Sequence, residues 1–112
     1  MNAQNRQQLV EEIMEAILAQ MREAFPLAKV IDYEVIAREC GVPFSLSVNS
    51  AGRQEKVGDE VFGESFSDLV RSSGLWLAAQ GLLIERDGPS YTLSANGAKL
   101  MQCRPAFFSA LD

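Results

Sequence analysis

The chain has 112 residues, 47% of them hydrophobic and 22% charged, which is enough apolar material for one compact domain and too much for a disordered segment. Ten Lys and Arg stand against 15 Asp and Glu, a net charge of −5 with a pI of about 4.7. Nucleic-acid affinity comes from basic side chains that neutralise phosphates, so this sign counts against nonspecific binding unless a local basic patch survives.

Residues 6–25 form the first predicted helix. Leu9, Val10, Ile13, Met14, Ile17, Leu18, Met21 and Phe25 recur at helical spacing, with Glu11, Glu12, Glu15, Arg22 and Glu23 opposite them, and Pro26 stops the run. The apolar stripe is wide. Either the helix lies across its own core, or part of the stripe is a subunit interface presenting Met14, Leu18 and Met21. "LAKVID" at 27–32 is a short extended link, and Asp32 can cap the helix that runs on to Cys40. Ile31 and Ile36 are placed as a hydrophobic staple, Gly41 ends the helix, and Pro43 prevents its continuation.

Residues 44–63 allow two readings. "FSLSV" alternates like a strand, "NSAG" can turn the chain and "RQEKV" can return as a second strand; the alternative is a mobile loop. Ser65 and Asp68 resemble a capping box opening a helix over about 65–80, with Phe66, Leu69, Val70, Leu75, Trp76, Leu77 and Ala79 as its buried face. Trp76 and Tyr91 read as core. "LLIE" and "SYTL" then alternate as strands around Asp87-Gly88-Pro89, and Ser94 caps a last helix through about Gln102. Phe107 and Phe108 make the end of the chain apolar, and they join Met14, Leu18 and Met21 as the expected homodimer interface.

The chemistry-bearing residues are few. The chain has no histidine, which removes the commonest general base, the usual zinc partner of cysteine and the Ser-His-Asp arrangement. Asp59, Glu60 and Glu64 do not have calcium-loop spacing, and the glycines at 52, 58 and 63 fit no phosphate-binding fingerprint. No enzyme activity, cofactor or metal is expected. Cys40 and Cys103 read as free thiols of a reducing compartment. The N-terminus has acids where a signal peptide avoids them, and no run approaches the roughly 18 apolar residues of a membrane span. A cytoplasmic protein is the expectation.

Two stretches carry a resemblance. "IDYEVIARECGVP" resembles the first helix and turn of a helix-turn-helix. "LWLAAQGLLIERDGPSYTLSANGAKLM" resembles the end of winged-helix domains, where a helix runs into a strand, a hairpin wing and a "YxLTxxGxxLL" pattern, as in bacterial regulators of the MarR and PadR type. The resemblance implies one winged-helix-like domain over 1–112, mostly α with a small antiparallel sheet, here with a long N-terminal helix and an insertion at about 44–63. It implies a DNA-binding transcriptional regulator, with Arg53, Lys56, Arg71 and Arg86 as the contacts to double-stranded DNA. The chain departs from the pattern in its inserted segment and in a second helix poor in the Arg, Lys, Asn and Gln that read base edges. The acidic balance supports a different expectation, a winged-helix module that binds a basic protein partner as an adaptor or inhibitor.

Overall fold

The computed structural model describes residues 3–103. Along them run α1 (Arg6–Ala24), β1 (Lys29–Val30), α2 (Tyr33–Cys40), β2 (Ser45–Val48), β3 (Gln54–Val57), β4 (Glu60–Val61), β5 (Glu64–Ser65), α3 (Phe66–Ala79), β6 (Leu83–Glu85), β7 (Ser90–Leu93) and α4 (Ala95–Leu100). The fold is α+β. Its main sheet has the order β1-β7-β6, all antiparallel, and the segment between α2 and α3 folds into two small hairpins, β2–β3 and β4–β5. Of the two readings open for 44–63, the strand pair is the one observed, with Ser45 opposite Val57 and Val48 opposite Gln54.

Each helix begins where a side chain satisfies an amide that the first turn leaves free. Asn5 accepts from Gln8 N at 2.9 Å, Asp32 from Val35 N at 3.2 Å, Ser65 from Asp68 N at 3.3 Å and Ser94 from Gly97 N at 3.0 Å. Gly41 ends α2 in the left-handed conformation, φ 70°, where a Cβ is strained. Gly97 is required for a different reason: a Cβ there would lie 2.0 Å from the Leu82 carbonyl oxygen, so α4 packs directly on the backbone leading into β6.

The wide stripe of α1 is used inside its own chain. Leu9, Ile13, Ile17 and Met21 are fully buried as α1 packs against α2, α3 and β7. Each such side chain withdrawn from water is worth about 1.5–3 kcal/mol. Leu18 is also buried, and Met14 packs half-buried against the core. Leu18 and Met21, expected at a subunit interface, are therefore covered by the chain's own elements. Phe107 and Phe108, the other half of that expectation, lie outside the described residues.

A correction concerns α3. Phe66, Ser67, Leu69, Val70, Ser73, Gly74 and Leu77 form its buried side. Leu75, Trp76 and Ala79, expected in the core, are exposed together with Asp68, Arg71 and Ser72. The reason is geometric: positions 68, 71, 72, 75, 76 and 79 follow the three- and four-residue steps of one helical face; Asp68 and Arg71 at its start border a cleft, and Leu75, Trp76 and Ala79 beyond them are exposed. Trp76 is 51% exposed, whereas Tyr91 is buried as expected.

Candidate functional site

The β2–β3 hairpin stands beside the start of α3, and its pleat sorts its side chains. Leu46 lies opposite Lys56 and Val48 opposite Gln54, so these four share one face; Ser45, Ser47, Glu55 and Val57 take the other. The face carrying Leu46, Gln54 and Lys56 turns toward α3, and the acid Glu55 is left on the far side. There it accepts from the Asn49 side chain at 3.0 Å, while Asn49 Oδ1 accepts from Ala51 N and Arg53 N at 2.9 Å each and holds the turn.

Between hairpin and helix lies a cleft of about 340 Å³. Leu46 lines it from β2, Phe44 from just before that strand and Tyr33 from the start of α2; Gln54 and Lys56 come from β3, and Ser67, Asp68 and Arg71 from α3. Phe44 is buried and packs on Phe66 with ring centroids 5.4 Å apart, which gives the cleft a fixed apolar floor. Lys56 Nζ donates to Ser67 Oγ at 2.9 Å, and Arg71 reaches Asp68 at 3.4 Å. Burial pushes the Tyr33 phenol above its ordinary range, and the nearby Arg71 pulls it the other way. Two cations and one carboxylate thus leave the lining with one net positive charge in an acidic protein.

The start of α3 is fixed by Asp59. Its carboxylate accepts from Ser67 N at 2.8 Å, Ser65 Oγ at 2.8 Å and Ser67 Oγ at 3.1 Å. The acids at 59, 60 and 64 do not gather: Asp59 serves the helix start, and Glu64 forms an ion pair with Arg6 at the beginning of α1.

Of the four cations expected to meet DNA, the structure brings Lys56 and Arg71 into one cleft. Arg53 sits exposed where the hairpin turn meets β3, and Arg86 sits exposed on the turn between β6 and β7; neither lines the cleft. Tyr33, Phe44, Leu46, Gln54 and Ser67 are site residues that reading the sequence missed. The period of two in "QEKV" puts Gln54 and Lys56 on one side, and the helical step from Ser67 to Arg71 supplies the facing wall. The pairing of those two walls comes only from the tertiary fold.

A second region is acidic. Glu11, Glu12 and Glu15 line a cleft of about 330 Å³ along α1. Glu12 and Glu15 also line an adjoining cleft of about 350 Å³ with Ala19, Glu39 and Cys40. The Glu12 Oε2 atom is shielded from solvent and accepts no hydrogen bond from the described residues.

No helix among the described residues is long and apolar enough to cross a membrane. Compared with known protein families, curated proteins and solved structures, the chain matches none.

Proposed function

We propose that the protein is a winged helix-turn-helix regulator that binds double-stranded DNA through the start of α3 and the hairpin beside it. The observation that carries this reading is the convergence of Lys56 and Arg71, from two separate elements, on one open cleft where α3 begins. The order α1-β1-α2-α3-β6-β7 with strands arranged β1-β7-β6 supports it. In such a domain the second helix of the motif enters the major groove by its N-terminal residues, here the exposed Asp68, Arg71 and Ser72. The hairpin and the β6–β7 turn would then reach phosphates with Lys56, Arg53 and Arg86. Three phosphate contacts imply a modest salt dependence, a slope of log affinity against log salt of about −3 per chain.

Fluorescence anisotropy of labelled duplex DNA at about 50 mM and about 200 mM salt tests the reading. The expected result is a salt-sensitive signal that weakens in Arg71→Ala. Absence of binding at tens of micromolar protein, or equal affinity of the variant, overturns it.

One observation favours a second reading, an adaptor or inhibitor that engages a basic protein. Glu11, Glu12, Glu15 and Glu39 line adjoining clefts on α1 and α2, and Glu12 holds a shielded oxygen without a donor. A buried acceptor left unpaired costs about 1–3 kcal/mol, and an Arg or Lys from a partner would supply the missing hydrogen bond. An arginine-rich peptide that binds the wild type and not Glu12→Gln/Glu15→Gln supports this reading; equal binding to both removes it.

A further inference from the structure

The chain has four asparagines, at 2, 5, 49 and 96, and Asn96 is the one followed by glycine. A following residue without a side chain leaves its backbone nitrogen an uncrowded approach to the asparagine's own side-chain amide. Asn96 is exposed in the first turn of α4, and none of the described residues hydrogen-bonds its amide. The amide of Asn49, by contrast, is engaged at both ends: Oδ1 accepts from Ala51 N and Arg53 N, and Nδ2 donates to Glu55. Nor can the susceptible pair be relieved at its second residue. A Cβ at 97 would lie 2.0 Å from the Leu82 carbonyl oxygen and 3.1 Å from Leu93 Cδ2, so packing imposes the glycine.

The reaction open to such a pair needs water alone. The Gly97 nitrogen gives up its proton and bonds to Asn96 Cγ; the Cγ–Nδ2 bond breaks, and Nδ2 leaves with that proton as ammonia. Water then opens the succinimide at either carbonyl. One product is aspartate, and the other is isoaspartate, in which the main chain runs through Cγ. In folded α4 the attacking nitrogen is held back. Gly97 N donates to Ser94 Oγ at 3.0 Å, which turns it along the helix and keeps its proton from base. Ser94 Oγ itself donates to the Gly81 carbonyl at 2.5 Å, so the hydroxyl is fixed on both sides. Ala98 N donates to the Ser94 carbonyl at 2.8 Å and Met101 N to the Gly97 carbonyl at 2.9 Å, which closes the turn around the pair.

We propose that Asn96 is a deamidation site that the Ser94 cap holds inert in folded α4 and that opening of α4 activates. Isoaspartate adds a carbon to the main chain just before Gly97 and moves that residue off the Leu82 carbonyl it packs against. Aspartate instead places a carboxylate three residues before Lys99, a pairing that a helix accommodates. The isoaspartate form is therefore a lasting mark on chains in which α4 has opened. Nothing in this depends on what the protein binds.

The test ages the full chain in mildly alkaline buffer, native and in guanidinium chloride, and follows the peptide containing Asn96 by mass and retention. Asp87-Gly88 can close the same ring, but it loses and regains water, so its isomerisation leaves the mass unchanged. Conversion at Asn96 should be at least about tenfold slower in the native protein than in the denatured one. Natively, Ser94→Ala should convert about fivefold faster than wild type, and Ser94→Thr, which keeps the cap, at the wild-type rate. Asn96→Gln should gain no mass in that peptide. Equal rates in native and denatured wild type overturn the proposal, and that comparison needs no variant to fold. No conversion in denaturant removes the site, and a folded Ser94→Ala that reacts at the wild-type rate removes the role of the cap; either result also overturns it.

Discussion

The side-chain amide of Gln20 closes a two-way bridge with the backbone of Asp32. Gln20 Nε2 donates to the Asp32 carbonyl at 3.0 Å, and Asp32 N donates to Gln20 Oε1 at 2.9 Å. Gln20 is buried in α1, and Asp32 caps α2, so one polar side chain sets where the second helix starts relative to the first. The Asp32 carbonyl has a second donor in Ile36 N, whereas its N–H depends on Gln20.

Replacing Gln20 by Leu therefore orphans the Asp32 amide. The expected loss is about 1–3 kcal/mol, and a domain of this size drops about 4–8 °C in melting temperature for each kcal/mol. Thermal melts of the two proteins followed by circular dichroism check it. An unchanged melting temperature would mean that the bridge contributes nothing to stability.

Phe66 is on the buried side of α3 and Trp76 is exposed, and their substitutions should separate accordingly. Phe66 is fully buried against Phe44, so Phe66→Ala should cost about 3–5 kcal/mol. Trp76 is half exposed, and Trp76→Ser should change stability by no more than about 0.5 kcal/mol. Trp76 is the single tryptophan of the chain, so fluorescence reports on it alone. Its emission in the native state should resemble that of indole in water and be readily quenched by acrylamide. A blue-shifted, protected emission would contradict the exposed face of α3.

The two thiols should react at very different rates. Cys40 is buried at the end of α2, and burial, with Glu12 and Glu39 adding to it, pushes its thiol up to about 11. Reaction needs the thiolate, so Cys40 is both inaccessible and protonated at neutral pH. Cys103 is partly exposed. A thiol reagent at about pH 8 should modify one equivalent rapidly and the second only on addition of denaturant. Two fast equivalents would mean that α1 and α2 separate readily.

Much of the fold could be read from the sequence because its signals are local. Asp32, Ser65 and Ser94 each cap a helix three residues upstream of the amide they accept from, and Leu83 and Leu93 alternate into the core from paired strands. Gln20 could not be read this way. An apolar stripe counts hydrophobic residues, and a buried amide whose partner is a backbone twelve residues away leaves no pattern. Trp76 misled for a related reason: a large apolar residue suggests a core, but only the neighbours of α3 decide which of its faces is covered. The cleft was half legible. Lys56 and Arg71 stood out as cations in an acidic chain, while Tyr33 and Phe44 joined them only through the packing of the hairpin on α2 and α3.

Asp59 makes the start of α3 sensitive to acid. Burial alone would raise its carboxyl, but hydrogen bonds from Ser67 N and from the Ser65 and Ser67 hydroxyls, with Lys56 nearby, outweigh that and hold it below its ordinary value. A carboxyl depressed in the folded state stabilises the fold above its unfolded pKa, about 3.9, and that contribution drains away as pH falls through the folded value. Asp59→Asn keeps the shape and removes the charge, so the variant should be less stable than wild type at about pH 7. The gap between them should narrow below about pH 4, where the wild type protonates as well. Glu64, held low by Arg6, titrates in the same direction in both proteins and cancels from their difference. Urea midpoints of the pair at several pH values measure the gap. A difference that stays constant down to about pH 2 would show that the charge on Asp59 plays no part and that its hydrogen-bonding shape alone holds the helix start.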